Sequence, residues 1–87
     1  MAKVIVYSAD YCPYCVRAKD LLQRKGISFE EIHVDEDPQK REEMIQKSGR
    51  MTVPQIFIND KPIGGFDDLY ALEKQGQLDQ LLTEEKQ

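Results

Sequence analysis

A chain of 87 residues, 40% apolar and 32% charged, fits one small domain, expected over residues 1–87, and leaves no room for a second core. Its formal charge of −4, with no basic stripe, argues against a nucleic-acid surface. No run approaches the roughly 20 apolar residues that span a bilayer.

The opening apolar run, Val4-Ile5-Val6-Tyr7, is too short for a signal peptide and no small-residue cleavage site follows it. The expectation is a cytoplasmic protein, where thiols are kept reduced and a close cysteine pair is catalytic or metal-binding more often than structural. Disulfide stapling is not the source of stability, because a bridge between the only two cysteines would close a very short loop. The adjacent basic pairs Arg24-Lys25 and Lys40-Arg41 fall in helical patterns and read as solvated faces.

Residues 3–7 are β-branched and aromatic, which predicts a short buried strand. Ser8-Ala9-Asp10-Tyr11 reads as a polar turn before Cys12-Pro13-Tyr14-Cys15. Helical spacing of Cys15, Ala18, Leu21 and Leu22 predicts a helix over 13–25. Pro13 suits its first position, and Gly26 suits a left-handed end. Residues 27–35 are strand-like, with Ile27 assigned to the loop. Asp37-Pro38 is an N-cap followed by proline at the first helical position. It opens a helix through Lys47 that buries Met44 and Ile45, and Ser48-Gly49 ends it. Residues 55–58 read as a strand, 59–62 as turn chemistry and 63–64 as a very short return strand. A helix carrying Leu69 and Leu72 begins around residues 65–68, Gly76 breaks it, and Leu78, Leu81 and Leu82 form a last turn or two before a fraying charged tail. The order β-α-β-α-β-β-α predicts an α/β fold, a mixed four-stranded sheet with helices on both faces.

Cys12 sits where a strand has ended and a helix begins. Unpaired N–H groups and the positive end of the helix dipole stabilise an anion there. A thiol so placed in a Cys-x-x-Cys motif is shifted toward thiolate, the nucleophile of disulfide exchange. Cys15, one turn on and facing the core, is the natural resolving thiol. Half of a zinc site is the competing reading, but four ligands are needed and only His33 is available, in a strand pattern. An inert buried pair is the other, and the proline between the cysteines speaks against it. Two later segments fit the same chemistry. Thr52-Val53-Pro54 offers an X-Pro step just before a strand, where a cis bond would leave the Val53 backbone facing an exposed group. Gly64-Gly65-Phe66-Asp67-Asp68 offers close backbone approach and helix-N-terminal N–H groups able to hold a carboxylate.

Together, CPYC at 12–15, TVP at 52–54 and GGFDD at 64–68 resemble the glutaredoxins, in particular the short bacterial dithiol class. The resemblance covers about residues 3–82. It implies a thioredoxin fold and a glutathione-dependent disulfide oxidoreductase, with Cys12 as nucleophile and Cys15 as resolving thiol. Tyr14 would pack beside glutathione. Thr52 and Val53 would pair by backbone with its cysteinyl part, as a cis Pro54 permits. The N–H groups of Phe66 and Asp67, after Gly65, would hold the γ-glutamyl carboxylate, and Asp67 or Asp68 would meet its ammonium. Arg41 falls where the family places a polar or basic residue for the glycyl carboxylate.

The sequence departs from many relatives at Ala9, where they carry a lysine three residues before the first cysteine. Tyr11 is bulkier than the small polar residue common there and is a candidate groove wall. Glutathione is expected as co-substrate with no tightly bound cofactor or metal. The expected partners are disulfide-containing or glutathionylated proteins, met by a monomer without nucleic acid or membrane. Rival readings are a thioredoxin-like reductant served by a flavoprotein, an iron–sulfur carrier, which Pro13 disfavours, and a non-catalytic module on the same fold.

Overall fold

The computed structural model describes residues 2–10 and 12–83. Its elements run β1 (Val4–Ser8), α1 (Pro13–Arg24), β2 (Glu30–His33), α2 (Pro38–Ser48), β3 (Gln55–Ile58), β4 (Lys61–Gly64), α3 (Phe66–Lys74) and α4 (Gln77–Thr83). The strands form one sheet in the order β2-β1-β3-β4. β1 lies parallel to β2 and antiparallel to β3, and β3 is antiparallel to β4. The mixed sheet is therefore the one the element order predicts.

Strand alternation sorts the core into two layers. Val4, Val6, Ile56 and Ile58 pack with Ala18, Leu22, Leu69, Leu78 and Leu82 from α1, α3 and α4. Ile5, Tyr7 and Phe57 pack with Val34 and with Met44 of α2. Helices thus cover both faces. Ile45 is only partly buried, packed at the edge of the second layer.

Four local differences from the sequence reading have physical causes. Ser8 belongs to β1, where it pairs with His33 and its carbonyl accepts the Val34 N–H at 2.9 Å. The strand β2 is shorter than the 27–35 segment. The turn after β3 is only Asn59 and Asp60, with φ of 52° and 68°, the left-handed pair that a two-residue hairpin requires. Lys61 and Pro62 consequently enter β4, and Pro62 is tolerated because β4 is an edge strand. The fraying tail falls outside the described residues, as does Tyr11.

Helix ends follow the predicted chemistry. The Asp37 carboxylate accepts from the N–H groups of Gln39 at 3.0 Å and Lys40 at 3.3 Å, and Gly49 turns the chain out at φ 73°.

Candidate active site

Cys12 is the N-cap of α1. Its sulfur does what a serine oxygen does at a cap, accepting the Cys15 N–H at 3.2 Å. With Pro13 at the first helical position, no N–H is lost that the helix would use. The same thiol donates toward the Val53 carbonyl at 3.7 Å, and the Val53–Pro54 bond is cis. Cys12 is partly accessible and Cys15 is fully buried, and both are free thiols. Burial, and then its hydrogen bond to Cys12, pushes the Cys15 thiol up to about 12, against a hydrogen bond from the Ala9 backbone and the nearby Lys19 charge. The two sulfurs are chemically unlike: one is partly accessible and accepts the Cys15 N–H, the other is buried and held toward its thiol form.

A groove of about 250 Å³ is lined in part by Val53, whose carbonyl the Cys12 thiol faces. Tyr14 and Phe66 form one wall, with ring centroids 6.3 Å apart, and Tyr70 stacks behind Phe66 at 5.7 Å. Thr52, Val53 and Pro54 also line the groove, with Gly65, Asp67 and Asp68. Gly64 holds φ 115°, and a Cβ there would overlap the Asp68 carboxylate. That carboxylate accepts the Gly65 N–H and the Arg50 guanidinium, each at 3.0 Å. Asp67 is exposed.

The groove thus gathers Tyr14, Thr52, Val53, Pro54, Gly65, Phe66, Asp67 and Asp68. Arg41 is not among its lining residues; its guanidinium donates to the Met51 carbonyl at 3.4 Å, next to Thr52. Sequence reasoning missed two groups that do line it, Arg50 and Gln55. Gln55 is 1% exposed, and its amide donates to the Thr52 carbonyl at 3.0 Å and the Thr52 hydroxyl at 3.2 Å, bracing the loop. A glutamine inside an otherwise apolar strand was the available signal. Among the described residues, no three His, Cys, Asp or Glu side chains stand close enough to hold a metal ion.

The family model described as Glutaredoxin matches residues 4–63. Glutaredoxin 3 of Escherichia coli K12 is 60% identical over 82 residues, 94% of this chain and 99% of that protein. A glutaredoxin of Pseudomonas aeruginosa is 53% identical over 83 residues, 95% of this chain and 99% of its own length. Among solved structures, the buckwheat glutaredoxin–glutathione complex superposes with a TM-score of 0.87 at 33% identity, over 94% of this chain and 77% of that one. The Brucella melitensis glutaredoxin gives 0.83 at 56% identity, over 94% and 89%. A thioredoxin-type sheet, a capped thiol at a helix start and relatives matched end to end agree, and the chain belongs to the glutaredoxin family of glutathione-dependent thiol–disulfide oxidoreductases, for which glutathione is the co-substrate.

Proposed function

We propose that Cys12 is the nucleophile, that Cys15 is the resolving thiol, and that glutathione lies in the groove between Tyr14 and the Thr52–Pro54 loop. The observation that carries this reading is the asymmetry of the two sulfurs. Cys12 caps α1 with a Cys15 N–H directed at it, while Cys15 is buried behind it.

In the monothiol route the Cys12 thiolate attacks the glutathione sulfur of a mixed disulfide. The S–S bond breaks and the departing protein thiolate takes up a proton. A second glutathione then attacks the bound glutathione sulfur, giving glutathione disulfide and free Cys12. In the dithiol route Cys12 attacks a protein disulfide, Cys15 attacks Cys12, and two glutathiones reduce the resulting bridge.

Within the groove, the backbone of Thr52 and Val53 pairs with the cysteinyl part. The N–H groups of Phe66 and Asp67 at the start of α3 hold the γ-glutamyl carboxylate. Asp67 or Asp68 meets the ammonium, and Arg41 meets the glycyl carboxylate. The whole chain acts as one domain and as a monomer in the cytoplasm. Among the described residues no helix is long and apolar enough to cross a membrane, which is compatible with that location.

Two variants test the assignment. Cys12→Ser should abolish both protein-disulfide reduction and deglutathionylation, because no other thiol caps a helix. Cys15→Ser should lose the first and keep the second. Activity in Cys12→Ser, or loss of both reactions in Cys15→Ser, contradicts these roles.

A further inference from the structure

The fully buried Ser8 hydroxyl lies at the end of β1, in the row Val4, Val6, Ser8 that faces α1. An apolar residue would continue that row. Instead the hydroxyl donates to Glu31 Oε2 at 2.7 Å, and Lys19 Nζ reaches the same oxygen at 2.6 Å. His33 Nε2 stands 3.5 Å from it. Burial pushes the Glu31 carboxyl up, but hydrogen bonds from Lys19 and Ser8 outweigh it and hold Glu31 below its ordinary value. The ammonium of Lys19 is therefore fixed in place, with about a quarter of its side chain exposed.

The Lys19 charge also reaches the resolving thiol, where it acts against the burial that raises Cys15. Lys19 follows Cys15 by four residues on α1, so the two share one helix face. Helical side chains lean toward the N-terminus, the direction in which Cys15 lies from Lys19. Among the described residues, Arg17 and Asp20 of α1 line one surface pocket with Lys19 and Glu31. Cys12 lies at the cap. Glu31 and His33 come from β2, and Asp10 and Asp35 stand 3.7 Å and 4.0 Å from His33 Nδ1. From β3 and α3, the core residues packed with α1 include the apolar Ile56 and Leu69, and Arg50 and Asp68 pair with each other.

We propose that Lys19, oriented by Glu31 and Ser8, is a positioning residue that supplies the counter-charge for the Cys15 thiolate during resolution. The proposal rests on the reading of Cys15 as resolving thiol. In that step Cys15 loses its proton and bonds to the Cys12 sulfur. The bond between Cys12 and the substrate breaks, and the leaving thiolate takes up a proton. Two electrons pass from the cysteine pair to the substrate. A thiol as shielded as Cys15 ionises rarely alone, and a nearby ammonium favours the ionised form.

The test is a single turnover. A mixed disulfide of Cys12 with a chromophoric aromatic thiol is prepared, and release of that thiol is followed by stopped flow across pH. Cys15→Ser sets the background. Lys19→Met should move the midpoint of the rate profile upward by about one pH unit, as expected for removing one nearby opposite charge. Lys19→Arg should restore the profile. Deglutathionylation, which needs only Cys12, is measured in parallel, and the ratio of resolution to deglutathionylation should fall in Lys19→Met. An unchanged profile in Lys19→Met, or an equal loss of resolution and deglutathionylation there, overturns the proposal, since a purely structural role would impair both reactions alike. If Lys19→Met does not fold, Lys19→Gln is measured in its place: an upward shift supports the counter-charge, and no shift or a downward one refutes it. If resolution in the unsubstituted protein does not depend on Cys15 at all, the assignment of the resolving thiol fails instead.

Discussion

Two arginines flank the start of the Thr52–Pro54 loop, and only Arg50 lines the groove, already engaged with Asp68. Arg41 holds the Met51 carbonyl through one long bond, so its guanidinium retains donors for a ligand carboxylate. With Ala9 in place of a lysine, Arg41 carries the glycyl end in the proposed complex. Arg41→Ala should raise the KM for glutathione roughly three- to tenfold at low salt and leave kcat little changed, the size expected for an exposed charge-assisted contact. The effect should shrink as salt rises. Equal KM values for the two proteins at low salt would place the carboxylate elsewhere. At this scale the sequence was legible where chemistry is tied to a motif: Thr52, Val53, Pro54 and Gly65 to Asp68 line one groove, and the Cys12 thiol faces the Val53 carbonyl. It was not legible where a polar side chain works from inside the sheet. Ser8 read as turn and Gln55 as plain strand, because nothing local says that a strand residue will be buried against a carboxylate or a loop carbonyl.

Elements are tied to one another by a few polar bonds whose partners are far apart in the chain, and these were invisible beforehand. The Tyr7 hydroxyl of β1 donates to Glu43 Oε2 of α2 at 2.7 Å. Tyr7 was read as a buried strand residue, but its partner could be named only once α2 lay across the sheet. The bond from Tyr7 holds the Glu43 carboxyl below its ordinary value of 4.5, against a smaller opposing effect of burial. The stabilisation is therefore fully present above about pH 4.5 and is lost as pH falls through the depressed folded value. Burial, and then Glu43, raises the Tyr7 hydroxyl above its ordinary 10.0, so that contribution is present below pH 10 and fades only in strong alkali. Tyr7→Phe should cost about 1 kcal/mol at neutral pH, toward the lower end for a charged acceptor because Glu43 is partly exposed. The difference from the unsubstituted protein should shrink as pH falls from about 4.5 through the depressed folded value of Glu43. Denaturant midpoints measured across pH would show this, and a gap that persists in acid would mean the lost packing, not the bond, matters. The boundaries that sequence missed share one origin. Turn length in the β3–β4 hairpin is set by the left-handed pair Asn59 and Asp60, and Asn-Asp followed by Lys-Pro does not reveal from composition where the turn stops.

The layered arrangement itself was legible, because β-branched runs, two proline-led helices and glycine stops punctuate the chain at every element. The sharing of the layers was not. Both cores hang on the same two strands: Val4 and Val6 of β1 face α1 while Ile5 and Tyr7 face α2, and β3 divides its Ile and Phe residues in the same way. Neither layer can lose its helices without exposing apolar residues of strands the other layer needs. The molecule should therefore unfold as one cooperative unit. Leu22→Ala in the first layer and Met44→Ala in the second remove side chains that are both 0% exposed, and each should cost about 2–5 kcal/mol. Against a total of about 5–15 kcal/mol for a domain of this kind, either loss is severe. Both should lower one and the same transition, with far-ultraviolet circular dichroism and the near-ultraviolet tyrosine signal moving together. A second transition in either variant, leaving the opposite layer folded, would show that the two faces of the sheet are separable and that the shared strands do not couple them.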